Sequence, residues 1–258
     1  MSLRIPLVVA ALLCAVPGTL AREKNSFALQ SAAAVCTRAH GALKTGDLAQ
    51  ASALYEEALR LVPGFPDAHM GLGHIAMARH DYQGAFVNFT TARDRLVVLH
   101  AEAYARERRA YDDAQVLIPR LEDEIAGLQR LPGGGAGAMD LQNLQQQIDA
   151  LRRIHPPTRA APEPLPAEVF FFRGNALFRM QRVEEALAEW TECARLDPAF
   201  GAVQNNLALA EWSLGHVEAA RVALAAARRL GAPVNPEFAA KVEAGGRPVE
   251  AGAKPITN

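Results

Sequence analysis

The sequence is poor in several residue types, and each shortage narrows what it encodes. Its three cysteines, Cys14, Cys36 and Cys193, are too few for a disulfide framework. Lysine stands only at positions 24, 44, 241 and 254, arginine supplies the remaining positive charge without forming a run, and the net charge is -1. Nothing in that balance calls for a polyanionic partner, so nucleic acid is not expected. No stretch alternates apolar and polar residues with period two, which argues against strands. There is no Gly-rich phosphate loop, His-Glu-x-x-His helix, nucleophile elbow or Cys-x-x-Cys pair. The chain is therefore read as non-enzymatic, without a cofactor, and Glu122-Asp123-Glu124 as a solvated helix face.

What is present begins with a leader. Arg4 precedes an apolar run from Ile5 to Val16, Pro17-Gly18 breaks it, and Ala21 offers a small residue for cleavage before Arg22. Residues 1–21 have the pattern of a secretory signal peptide. The apolar run falls short of the roughly 20 residues that span a bilayer, so no stable membrane insertion is expected after cleavage. Leu13 before Cys14 is too bulky for a bacterial lipoprotein signal. The expected location is periplasmic or secreted. In such a compartment Cys36 and Cys193 are open to pairing, but the preferred reading is two small buried apolar side chains.

The rest is governed by a period of 34 residues. Ala51, Tyr55 and Ala58 recur as Ala85, Phe89 and Ala92; Ala186, Trp190 and Cys193 recur as Ala220, Leu224 and Ala227. Gly73, Gly174 and Ala208 precede these sets as small residues, and Pro63 and Pro198 follow as terminators. Small residues let two antiparallel helices approach, large ones fill the space opposite, and proline ends the helix. These residues resemble the tetratricopeptide repeat, whose pattern is a Leu-Gly pair, then a small, an aromatic and a small residue, then proline. The resemblance places repeats at 32–65, 66–99, 167–200 and 201–234. It departs from the pattern at Arg173, which replaces the Leu of the Leu-Gly pair, and at Val97, which stands where proline is expected. The expected fold is all-α, a helical-repeat solenoid with two repeat pairs separated by an insertion.

The insertion has its own pattern. Ala114, Ile118, Leu121, Ile125 and Leu128 form one apolar seam, and Leu141, Leu144, Ile148 and Leu151 another, joined across Pro132-Gly133-Gly134-Gly135. Residues 100–155 are read as a helical hairpin of coiled-coil character, with Pro119 kinking or restarting its first arm, and as a possible self-association surface. Residues 156–166 read as a Pro-rich linker and 245–258 as a disordered tail. Since 100–166 is close to two periods long, a pair of degenerate repeats is the alternative.

The resemblance implies that the first helix of each repeat lines a groove for a peptide or helix of a partner protein. It puts Phe171, Asn175 and Phe178 of the third repeat and Asn205 and Asn206 of the fourth on or near that surface. Asn can hold an extended backbone, and the phenylalanines suit an apolar ligand, although the same residues also suit inter-repeat packing. Phe171 stands where relatives that clamp a terminal carboxylate carry Lys. In the front pair Cys36, His40, Met70, His74 and Met77 offer soft ligands on one face, which suit copper(I). An exported interaction scaffold is the first reading, set against a periplasmic copper-handling protein or a non-catalytic subunit of an enzyme or envelope complex. The principal expectation is a binding surface of two separated repeat pairs held across the insertion, with a continuous four-repeat groove as the other outcome.

Overall fold

Ten α-helices and no strand occur among the residues that the computed structural model describes, 19–130, 138–158 and 161–245. In chain order they are α1 Thr19–Lys44, α2 Leu48–Leu61, α3 Pro66–Ala78, α4 Tyr82–Gln129, α5 Ala138–Arg152, α6 Ala167–Arg179, α7 Val183–Leu196, α8 Gly201–Ser213, α9 Val217–Arg229 and α10 Pro236–Glu243. None is long and apolar enough to cross a membrane. Of the leader only Thr19–Ala21 are described, within α1, and of the tail only Gly245; the Gly-rich loop also lies outside the described residues.

Within each repeat, the turn between the two helices reverses the chain at a residue of positive φ. The four turns use Gly46 (81°), His80 (62°), Gln181 (63°) and Gly215 (82°). The left-handed region is open to glycine and costly for other residues, so two turns carry local backbone strain. In the front pair an aspartate follows and caps the next helix. Asp47 accepts from Gln50 N at 2.9 Å, and Asp81 from Gly84 N at 2.8 Å.

The periodic small residues do what their spacing predicts. A Cβ on Gly73 would lie 2.4 Å from the Phe89 ring, one on Gly174 2.4 Å from Trp190 Nε1, and one on Gly71 2.1 Å from the Tyr55 ring. Each aromatic thus sits directly on the backbone of a first helix. Trp190 adds a polar tie, donating from Nε1 to the Phe171 carbonyl at 3.1 Å. In the fourth repeat Ala208, Ala220 and Leu224 share one cluster, and α10 joins them through Phe238, Ala239 and Val242.

The helices form two compact units. One comprises the residues up to Arg95 together with those from Pro166 onward, and holds all four repeats except the last four residues of the second; the other is Leu96–Leu165. This corrects the expectation of a binding surface of two separated repeat pairs. Phe86 and Phe89 of the second repeat pack with Phe172 and Ala176 of the third, so the pairs stack directly although the insertion parts them in sequence. The stacking also explains Arg173. It is 5 % exposed, with Nη1 on Glu189 Oε2 at 2.9 Å, Nε donating to Thr90 Oγ1 at 3.2 Å, and its guanidinium 5.3 Å over the Phe86 ring. Burial pushes the Glu189 carboxyl up from its ordinary value, with Arg173 opposing that shift.

In the second unit α4 continues from Leu96 to Gln129 without restarting at Pro119. Ala114, Leu144 and Ile148 are its buried residues from the two seams, and Arg152 of α5 pairs with Glu122 of α4 at 2.6 Å. No helix break falls near residue 100, where a degenerate third repeat would begin. His100 Nδ1 lies 2.8 Å from the carbonyl oxygen of Glu163, fastening the Pro-rich segment to α4.

Candidate functional site

Spacings of four and three residues put Phe171, Asn175 and Phe178 on one face of α6, and on α8 Ala202, Asn205, Asn206 and Leu209 share a face in the same way. These two faces line a single groove of about 550 Å³, within the range of small-ligand sites. All five residues expected at the partner surface therefore meet at one place. Phe172 and Arg179 of α6 and Trp190 of α7 complete one side, Met77 of α3 enters from the second repeat, and Pro233, Val234, Asn235 and Phe238 form the far wall.

The aromatic side of the groove is held by ring contacts. Phe171 lies 5.3 Å from Phe172 and 4.9 Å from Phe200 between centroids, and Phe178 lies 5.5 Å from Trp190. Part of each ring is committed to packing, Trp190 is buried, and Phe171, Phe172 and Phe178 remain half-buried rather than closed off.

The polar side is built from amides. Asn206 Nδ2 donates to Asn175 Oδ1 at 2.8 Å, tying α8 to α6 across the groove. The Asn205 Oδ1 atom is buried and has no hydrogen-bond partner among the described residues. A buried acceptor without a donor is costly, and it marks where a ligand N–H would gain most. Arg179 is the single ionisable residue of the lining among the described residues, and its guanidinium lies 5.6 Å over the Tyr82 ring.

The five soft ligands of the front pair lie elsewhere, apart from Met77. Cys36 is buried, with its thiol pushed up to about 11 chiefly by desolvation, and the His40 ring meets Tyr55 edge-on at 5.6 Å. His74 packs edge-on against Phe172 at 4.3 Å and Phe89 at 5.4 Å. Burial, then the proximity of His40, lowers its pKa from 6.5. Met70 and Met77 pack against the cluster around Phe89. Among the described residues no three His, Cys, Asp or Glu side chains are grouped to hold a metal ion. Cys36 and Cys193 are both free thiols, the latter pushed up to about 12 by burial.

The far wall was the part not foreseen, and its signal is present in the sequence. Asn235 before Pro236 is a helix-start pair, with Phe238, Ala239 and Val242 spaced as an apolar face. In the structure Asn235 Oδ1 accepts from Phe238 N at 3.0 Å. Arg221 secures the other end of α10, donating to the carbonyls of Val242 at 3.2 Å and Glu243 at 2.8 Å.

Comparison with known proteins gives two family-model matches, both described as tetratricopeptide repeat, over residues 36–87 and 167–200. None of the curated proteins matches the sequence. Similar solved structures include PilW, a widely conserved type IV pilus biogenesis factor, at 15 % identity over 83 % of this chain and 91 % of that one, with TM-score 0.38. A thermophilic tetratricopeptide-repeat protein of Thermus thermophilus is 17 % identical over 83 % and 98 %, with TM-score 0.36. YrrB, solved as a protein with an unusual peptide-binding site, is 17 % identical over 81 % and 90 %, with TM-score 0.29.

Proposed function

Because this chain belongs to the tetratricopeptide-repeat family, we propose that it is an exported interaction scaffold that holds an extended peptide segment of a partner protein in the groove between α6, α8 and α10. The observation that carries this reading is the convergence of Phe171, Asn175, Phe178, Asn205 and Asn206 on one concave surface, with the Asn205 acceptor lacking a donor. Apolar rings supply contact area, and the amides supply main-chain hydrogen bonds that do not depend on ligand side chains. Export rests on the leader pattern of residues 1–21.

Capture of a partner on the immobilised chain tests the groove. Substituting Phe171, Asn175 and Asn206 together by Ala is expected to abolish capture while the helical circular-dichroism signal is retained. Undiminished capture by that variant overturns the assignment. Export is tested by fusing residues 1–21 to a reporter active only outside the cytoplasm, and a silent reporter excludes it.

A further inference from the structure

The groove's polar equipment is lopsided. Among the described residues its lining holds four asparagines, one arginine and no acid. Arg179 is half-buried, stacks on Tyr82 and has no carboxylate partner among the described residues. The neighbouring arginines behave differently, since Arg173 is matched by Glu189 and Arg182 by Glu185. A cation held at a groove by a ring, with its anion missing, favours a ligand that brings one. The remaining lining is aromatic and aliphatic, and Asn205 Oδ1 adds a demand for one N–H.

We infer that the groove selects an extended internal segment in which a bulky apolar side chain stands beside an acidic one. The apolar side chain lies on the rings of Phe171, Phe178 and Phe238, the carboxylate meets Arg179, and a main-chain N–H donates to Asn205. This rests on the groove reading above and adds to it a charge preference. The segment is taken as internal because the described lining offers one cation, Arg179, and the side-chain carboxylate occupies it. A basic segment is disfavoured, since a like charge beside Arg179 is repelled.

Selection from a random decapeptide library displayed on phage, against the purified full-length chain, tests it. The expected result is enrichment of Asp or Glu next to a Phe, Leu, Ile or Trp, away from the peptide ends. Arg179→Glu is expected to replace that acid by Lys or Arg. Arg179→Gln is expected to weaken a selected synthetic peptide about fivefold, and raising the salt should erase the difference. The wild-type thermal melt, retained by both variants, shows that the fold is intact, and Arg179→Lys, which keeps the charge, should bind within about twofold of wild type. Apolar peptides without acid enrichment, unaffected at Arg179 but lost on Phe171→Ala and Asn206→Ala, overturn the charge preference and leave the groove standing. Enrichment of free carboxyl ends overturns the internal-segment assignment. Peptides that bind those two groove variants as well as wild type overturn both readings.

Discussion

Met70, His74 and Met77 of the second repeat and Phe171, Asn175 and Phe178 of the third occupy the same three places on their first helices, 101 residues apart. The front set is largely consumed by its neighbours: His74 is clamped between Phe89 and Phe172, and both methionines pack into the same cluster, with Met77 alone also reaching the groove. The rear set faces a groove, because the next helix presents Asn205 and Asn206 rather than an aromatic, and the wall beyond stands off on α10. One repeat position thus serves as core or as binding surface according to what the following repeat places against it. The same offset relates Leu72 to Arg173 and Asn88 to Glu189, so an uncharged pair in front becomes a buried ion pair behind.

The comparison is broken most severely through the aromatic that fills each repeat. Trp190→Ala and Phe89→Ala are each expected to cost about 3–5 kcal/mol in urea unfolding, with Trp190 the costlier because its bond to the Phe171 carbonyl is also lost. Next comes the ion pair: Glu189→Leu alone leaves Arg173 buried and uncompensated, and should cost about 3 kcal/mol. Adding Arg173→Leu, which restores the residue found in the front repeat, is expected to recover most of that loss. If the double variant is as unstable as the single one, the charge is not what makes Arg173 costly.

His74 separates the pairs by pH. Its folded-state pKa lies below the ordinary 6.5, so the unfolded chain binds the proton more readily. Stability is full above that value and falls as the pH drops through 6.5 toward the folded pKa. His74→Asn, which imports the residue found at 175, should flatten the melting temperature between pH 7 and pH 5, and an unchanged slope removes His74 as the cause. The smallest effect concerns the strained turns. Gln181→Gly should stabilise by about 1 kcal/mol, and His80→Gly by less, because His80 Nδ1 sits 2.9 Å from the Tyr82 hydroxyl and that contact is lost.

Much of this was legible in the chain. Ala186, Trp190 and Cys193 announce a buried helix face, and the same small–large–small triplet 34 or 101 residues away announces the same packing. The resemblance to the tetratricopeptide repeat, rather than the triplet itself, implied that Asn175 and Asn206 stand on the inner face. Their hydrogen bond could not be placed, since it joins residues on helices α6 and α8 whose spacing depends on the intervening α7. The partnerless Asn205 acceptor was equally hidden, because burial is a property of everything packed around an atom. Arg173 looked like a departure from the repeat pattern until Glu189, Thr90 and Phe86 surrounded it.

The sequence by itself determined the repeat helices and the small–large contacts at Gly73, Gly174 and Ala208, because these follow from side-chain size and periodicity over one or two turns of chain. Only the tertiary structure decided that residues 95 and 166 belong to one body and that the insertion does not divide the repeats. That outcome depends on Phe86, Phe89 and Phe172 meeting across a long stretch of intervening chain, a contact whose entropy cost grows slowly with loop length and which local pattern cannot register.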